Sequence, residues 1–229
     1  SIGVLETARR LHENGTALII LGNHEFRLIQ RSVVQKPLDD ERFNSYLPWI
    51  RTLPLFLETT TLRSVHAAWH YSSIQVLKEF QANDDSFVKR TLDKETAEGK
   101  AVQTILSGIK VRLPLDPILR DRFDVPREKG RVKWWKNLEG KSFVECLYSP
   151  MYPNVWDQAP SHQEIAQVEP YLEKDKLVCI GHYSLPPEIE KVMDPIVCVD
   201  GCVAKDKVLW AYRHNGESRP SSKNLISCR

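Results

Sequence analysis

The chain has 229 residues, 41% of them hydrophobic and 27% charged. That is the composition of one ordinary globular domain, or of one domain with a large insertion, and it excludes a disordered or fibrous chain. Thirty-two Lys and Arg face 30 Asp and Glu, a formal net charge of +2, too balanced to argue for nucleic acid or a membrane surface as partner.

Residues 2–13 place Ile2, Val4, Leu5, Ala8 and Leu11 at helical spacing, with Arg9, Arg10 and His12 near the end. They predict a helix that Gly15 stops. This start is amphipathic and charged, unlike a signal peptide. TALIIL at 16–21 has the length of a buried strand and ends in Gly22-Asn23-His24-Glu25. Residues 26–58 read as mostly helical, broken at Pro37, Pro48 and Pro54, and Leu62 to Val65 as a strand running into His66. From about 72 to 125 the pattern is helical and charged, with breakers at Pro114, Pro117 and Pro126. Ser161 to Glu173 predicts a helix opened by a capping box, Glu164 standing three residues after Ser161. Strands return at Leu177–Ile180, before Gly181-His182; at Ile196–Val199, before Asp200-Gly201; and at Val208–Tyr212. The polar tail reads as frayed. No run reaches the roughly 18 apolar residues of a membrane-spanning helix.

The five cysteines (Cys146, Cys179, Cys198, Cys202 and Cys228) are odd in number and lack CxxC spacing. They indicate neither a disulfide framework nor a zinc knuckle and fit a reducing, cytoplasmic setting. Cys179 and Cys198 sit in apolar runs, as buried thiols do.

Three predicted strand ends each present a histidine: His24, His66 and His182, the first beside Asn23. A single histidine after a strand is most simply a hydrogen-bonded loop residue. Three of them on adjacent strand ends of an α/β protein converge on one rim of the sheet, where active groups sit. Imidazole nitrogens with an amide oxygen suit Mn, Fe, Zn and similar ions. Phosphate-ester hydrolysis uses two such ions about 3.5–4 Å apart.

These blocks resemble those of the calcineurin-like metallophosphoesterases. LGNHEF at 21–26 resembles their GNHE block, SVHAAW at 64–69 their VHAG block and IGHY at 180–183 their GH block. VDGCVAKDKVLWAYRHNGE at 199–217 resembles the closing hairpin of the phosphoprotein-phosphatase branch, and Ser184, where distant relatives carry a second histidine, agrees with that branch. The KGRVKWW stretch is similar to uncharacterised bacterial members. The resemblance implies an α/β fold of two mixed β-sheets packed face to face and flanked by helices. It divides the single domain into a core of 1–71 and 176–217 and a helical insertion of 72–175. It further implies that Asn23, His66 and His182 ligate one metal of a pair, that His24 is a general acid oriented by a carboxylate, and that Asp200 and Gly201 are structural. The implied substrate is a phosphate ester: a phosphoprotein, a nucleotide or a dinucleoside polyphosphate.

The family's GDxHG and GDxxDRG blocks, which carry the other metal ligands and a phosphate-gripping Arg, do not occur in these 229 residues. Ser1 to Leu5 resemble the text just after the second block. The chain is therefore expected to be a fragment with a crippled site, the alternative being a catalytically inactive binding or scaffold protein. Arg127 and Arg131, with Lys129 and Lys133, precede Trp134-Trp135. They form either a lid for phosphate or a base, or a tryptophan plug beside solvated charge. His70 is expected to be a surface residue rather than a ligand, and His12, His162 and His214, in polar stretches, need no function.

Overall fold

A computed structural model describes residues 2–38, 40–116, 118–121, 124–148, 158–171 and 175–229. Of the residues singled out above, Ser1, Pro117 and Glu173 lie outside this set. The elements in chain order are helices α1 (Ile2–Glu13) and α2 (Asn23–Val33), a 3-10 turn (Glu41–Ser45), α3 (Leu47–Ile50), and strands β1 (Phe56–Glu58) and β2 (Leu62–Val65). Then come α4 (Tyr71–Leu77), α5 (Asp85–Arg90), α6 (Ala97–Ser107), β3 (Lys110–Arg112), β4 (Leu119–Arg120), β5 (Pro126–Arg127), β6 (Lys129–Arg131), α7 (Phe143–Cys146) and α8 (His162–Ile165). The chain closes with β7 (Leu177–Ile180), β8 (Val192–Met193), β9 (Ile196–Cys198), α9 (Val203–Asp206), β10 (Leu209–Tyr212) and β11 (Leu225–Cys228).

The fold is mixed α/β. A five-stranded sheet runs in the order β1-β2-β7-β9-β8. Its central pairs, β2 with β7 and β7 with β9, are parallel, and its edges are antiparallel. The central strands read LVCI and IVC and are largely buried, as strands covered on both faces must be. All five strands come from the two outer segments of the chain. The other strands form three two-stranded antiparallel pairs, β3-β6, β4-β5 and β10-β11.

The helix at 2–13 ends as its glycine predicts. Gly15 takes φ +68, the Thr16 N–H reaches Leu11 O at 3.0 Å and the Gly15 N–H reaches His12 O at 2.9 Å. That pair of bonds is a Schellman stop.

Four expectations need correction. TALIIL is in no ladder: the Leu21 N–H reaches Pro54 O at 2.8 Å, while Leu18 is 73% exposed. An apolar run becomes a strand only where a neighbour takes its backbone groups. The insertion is less helical than its charge pattern implies, because Gly108 at φ +77 turns the chain into β3. The helix at Ser161 keeps its capping box but lasts one turn. The tail is ordered, since β11 pairs residue for residue with β10.

Trp134 and Trp135 are buried, with ring centroids 5.6 Å apart in an edge contact. They are the plug rather than a stacking lid. All five cysteines are unpaired, with Cys198 buried and Cys179 partly so. Among the described residues no helix is long and apolar enough to cross a membrane.

Candidate functional site

The parallel ladder sets the site. Beyond the ends of β2 and β7 the Gly181 N–H donates to His66 O at 2.9 Å, and beyond β7 and β9 the Val199 N–H donates to Ile180 O at 2.9 Å. His66, His182 and Asp200 therefore leave three neighbouring strands on one rim. The insertion fixes the first of them, since the Ala67 N–H donates to Ile105 O of α6 at 2.8 Å. Asn23 arrives as the first residue of α2, after Gly22. A Cβ on Gly22 would lie 2.8 Å from Glu25 Oε2 and 3.2 Å from His66 Cε1, so only glycine lets the α2 N-terminus come this close to the imidazole. His182 sits at φ +66. That left-handed conformation is costly for a residue with a side chain and is found where a site over-determines it.

Asn23, His66 and His182 are brought together. His66 Nε2 lies 2.8 Å from Asn23 Oδ1 and 3.1 Å from His182 Nδ1. Arg131 donates to His182 Nε2 at 2.8 Å and to Ser107 O at 3.0 Å. Burial holds both imidazoles well below the usual histidine value, His66 to about 4 and His182 to about 3. Arg131 adds its positive charge to that effect on each. Both rings are therefore neutral near pH 7, the state in which a histidine donates a lone pair to a metal.

His24 lines the same cavity of about 920 Å³, as do Arg127, Arg131 and Asp200. Among the described residues no carboxylate hydrogen-bonds to His24. Arg127 is half-exposed and ion-paired with Asp121, its Nε 2.7 Å from Oδ2. Asp200 is structural: Oδ2 accepts from the Ser184 N–H at 2.9 Å and Oδ1 from the Cys202 N–H at 2.8 Å. Gly201 is structural too, since a Cβ there would lie 2.3 Å from Trp210 Cδ1. The remaining histidines have local duties. His70 is more than a surface residue, because it caps α4, where its Nδ1 accepts from the Ser73 N–H at 3.2 Å. Trp49 Nε1 donates to His12 Nδ1 at 3.2 Å.

A metal fits this corner in part. Asn23 Oδ1 and His182 Nδ1 each lie at hydrogen-bond range of His66 Nε2, so a cation there would meet one oxygen and two nitrogens from neutral groups. Two things count against a complete centre. Among the described residues no three His, Cys, Asp or Glu side chains are placed to hold an ion, so no carboxylate bridges to a second metal. Arg131, which can only donate, also holds His182 Nε2 as an acceptor. A neutral imidazole then carries its proton on Nδ1, the nitrogen a metal would need.

Sequence reasoning missed Lys110; Lys129 was named only among the cations preceding Trp134-Trp135, and both line the cavity beside Arg127 and Arg131. The available signal was two short runs of alternating charge, KVR at 110–112 and KGR at 129–131. No family model matches the chain, and neither the curated proteins nor the solved structures provide a match.

Proposed function

We propose that this chain carries one half of a two-metal phosphoesterase centre: Asn23, His66 and His182 hold one divalent ion such as Mn, Fe or Zn. The observation that carries the reading is the convergence on His66 Nε2 of the Asn23 amide oxygen at 2.8 Å and the His182 Nδ1 at 3.1 Å, beside a basic cavity. When bound, a pair of such ions activates water and neutralises charge on the transferring phosphoryl group. The chain's own residues do the rest. On this reading His24, at the N-terminal turn of α2, gives a proton to the leaving oxygen, Arg131 grips a phosphate oxygen next to His182, and Arg127, paired with Asp121, adds charge at the rim. The substrate class is a phosphate ester, whether phosphoprotein, nucleotide or dinucleoside polyphosphate. On the same reading the β10–β11 hairpin belongs to a second sheet packed face to face with the first.

A second reading is favoured by one observation, the lack of a bridging carboxylate among the described residues. On that reading the shell is kept for binding or scaffolding. Stoichiometry and turnover separate the two. Titration calorimetry with Mn²⁺ is expected to give one ion per chain, lost in His66→Ala. Hydrolysis of p-nitrophenyl phosphate by this chain alone is expected to be poor, because a single ion lacks the two-ion clamp. Absence of Mn²⁺ binding would remove the metal reading. Robust Mn²⁺-dependent turnover abolished by His24→Ala would show that the missing ligands lie within the chain.

A further inference from the structure

The short ribbon of β3 and β6 carries an arrangement of charge that the fold does not need. Its register sets Lys110 opposite Arg131 and Arg112 opposite Lys129, with Val111 opposite Gly130 between them. Side chains alternate across a strand, so the four cations share one face. The other face is pressed onto the core: Val111 and Gly130 are buried, and a Cβ on Gly130 would lie 2.5 Å from Leu147 Cδ2. Like charges directly opposite one another in an antiparallel pair destabilise it. Two such pairs in one ribbon are a local inconsistency of the kind that marks a functional surface.

Among the described residues two of the acidic neighbours have other contacts. Asp121 is engaged with Arg127. Glu164 accepts from the Arg112 backbone N–H at 2.6 Å, at the outer end of the face. Glu128 also lines the cavity. Among the described residues the ammonium groups of Lys110 and Lys129 have no acceptor. Burial first, and then the neighbouring Arg131, Arg127 and Lys129, push Lys110 down to about 8. Lys110, Lys129 and Arg131 all line the cavity that holds His182. Arg131 touches His182, and Lys129 stands two residues further along the strand, about 7 Å away at roughly 3.4 Å per residue.

We propose that this ribbon is a second anion subsite, which selects substrates bearing a chain of two or more phosphates over a single phosphate on a protein side chain. Arg131 and Lys110 take the phosphate nearest His182, and Lys129, with Arg112 opposite it, takes the next ones along the chain. The assignment of the near end rests on the His182 corner being where the reacting phosphate sits. Binding at the ribbon itself needs no metal, and the test uses that difference.

The test is equilibrium binding to the full chain in EDTA, with inorganic tripolyphosphate, ATP, orthophosphate and a phosphoserine peptide as probes. Tripolyphosphate or ATP is expected to bind at least about tenfold tighter than the single-phosphate probes. Lys129→Gln is expected to remove most of that margin and leave orthophosphate binding unchanged, while Lys223→Gln, on the exposed tail, changes neither. ATP exceeding tripolyphosphate assigns a nucleoside polyphosphate, and the reverse assigns an inorganic chain. The proposal is overturned if the phosphoserine peptide equals tripolyphosphate, if a single-stranded oligonucleotide of equal charge binds tighter than either, or if the folded Lys110→Gln/Lys129→Gln double variant keeps the margin. A protein that keeps the margin yet binds no Mn²⁺ keeps the subsite and loses the metal reading.

Discussion

At the scale of single residues, Arg131 is the group on which the site turns. It donates to His182 Nε2 and so fixes the proton of that ring on Nδ1, which faces His66. An ion bound at Nδ1 would require the opposite tautomer, so Arg131 and a metal compete for one imidazole. Arg131→Met is therefore expected to tighten Mn²⁺ binding by about tenfold, the worth of one charge-assisted contact, and to weaken orthophosphate binding at the same time. Paired calorimetric titrations check it; equal loss of both affinities would mean that Arg131 only supports the fold. The triad was legible because GNHE, VHA and GH each follow an apolar run. Arg131 was legible as a cation but not as the partner of His182, since 51 residues separate them. Lys129 was legible as one of the cations before Trp134-Trp135 but Lys110 was not, because a lysine in a short charged run reads as a solvated face until a register is known.

Elements position these residues through close backbone approaches. The site's outer wall ends in Asp200-Gly201, and Gly201 lies against the indole of Trp210 on β10. Trp210 is itself held by the buried ammonium of Lys191, which sits 4.3 Å from the ring centroid and donates to Pro186 O at 2.9 Å and Ile189 O at 3.0 Å. A methyl on Gly201 would have to move a large, pinned ring. Gly201→Ala is expected to destabilise the protein by about 1–3 kcal/mol, the usual cost of overpacking, measured as a lower urea midpoint. Gly216→Ala, where nothing lies within 4 Å, avoids the clash and meets only the penalty of its φ of +90. Equal effects at both positions would remove the packing argument. The helix stop at Gly15 and the strands at 62–65, 177–180 and 196–198 followed from period and punctuation. The β10–β11 pairing did not, because SKNLISCR lacks the alternation of a half-buried strand, although its backbone pairs with β10 residue for residue.

For the whole molecule, the five-stranded sheet and the insertion close around the cavity, while the N-terminal region leaves apolar side chains uncovered. Val4 is 66% exposed and Leu18 73% exposed, and the apolar run at 16–21 belongs to no ladder. Exposed apolar side chains template association. The chain expressed alone is expected to self-associate at micromolar concentration, and Val4→Lys/Leu18→Lys to shift it toward monomer in size-exclusion chromatography. A wild-type chain that elutes as a sharp monomer at every concentration would contradict this. The α/β class was legible in the alternation of helices with buried strands. The ladder at 16–21 was mispredicted, because composition reports the wish to be buried and not the presence of a neighbour. The central claim, that Asn23, His66 and His182 form a metal half-site, is tested most directly by anomalous diffraction at the manganese edge from a crystal grown with Mn²⁺. One peak is expected about 2.0–2.3 Å from His66 Nε2, His182 Nδ1 and Asn23 Oδ1, with Arg131 withdrawn from His182. A fully occupied peak elsewhere, or none in this corner at saturating Mn²⁺, would contradict it.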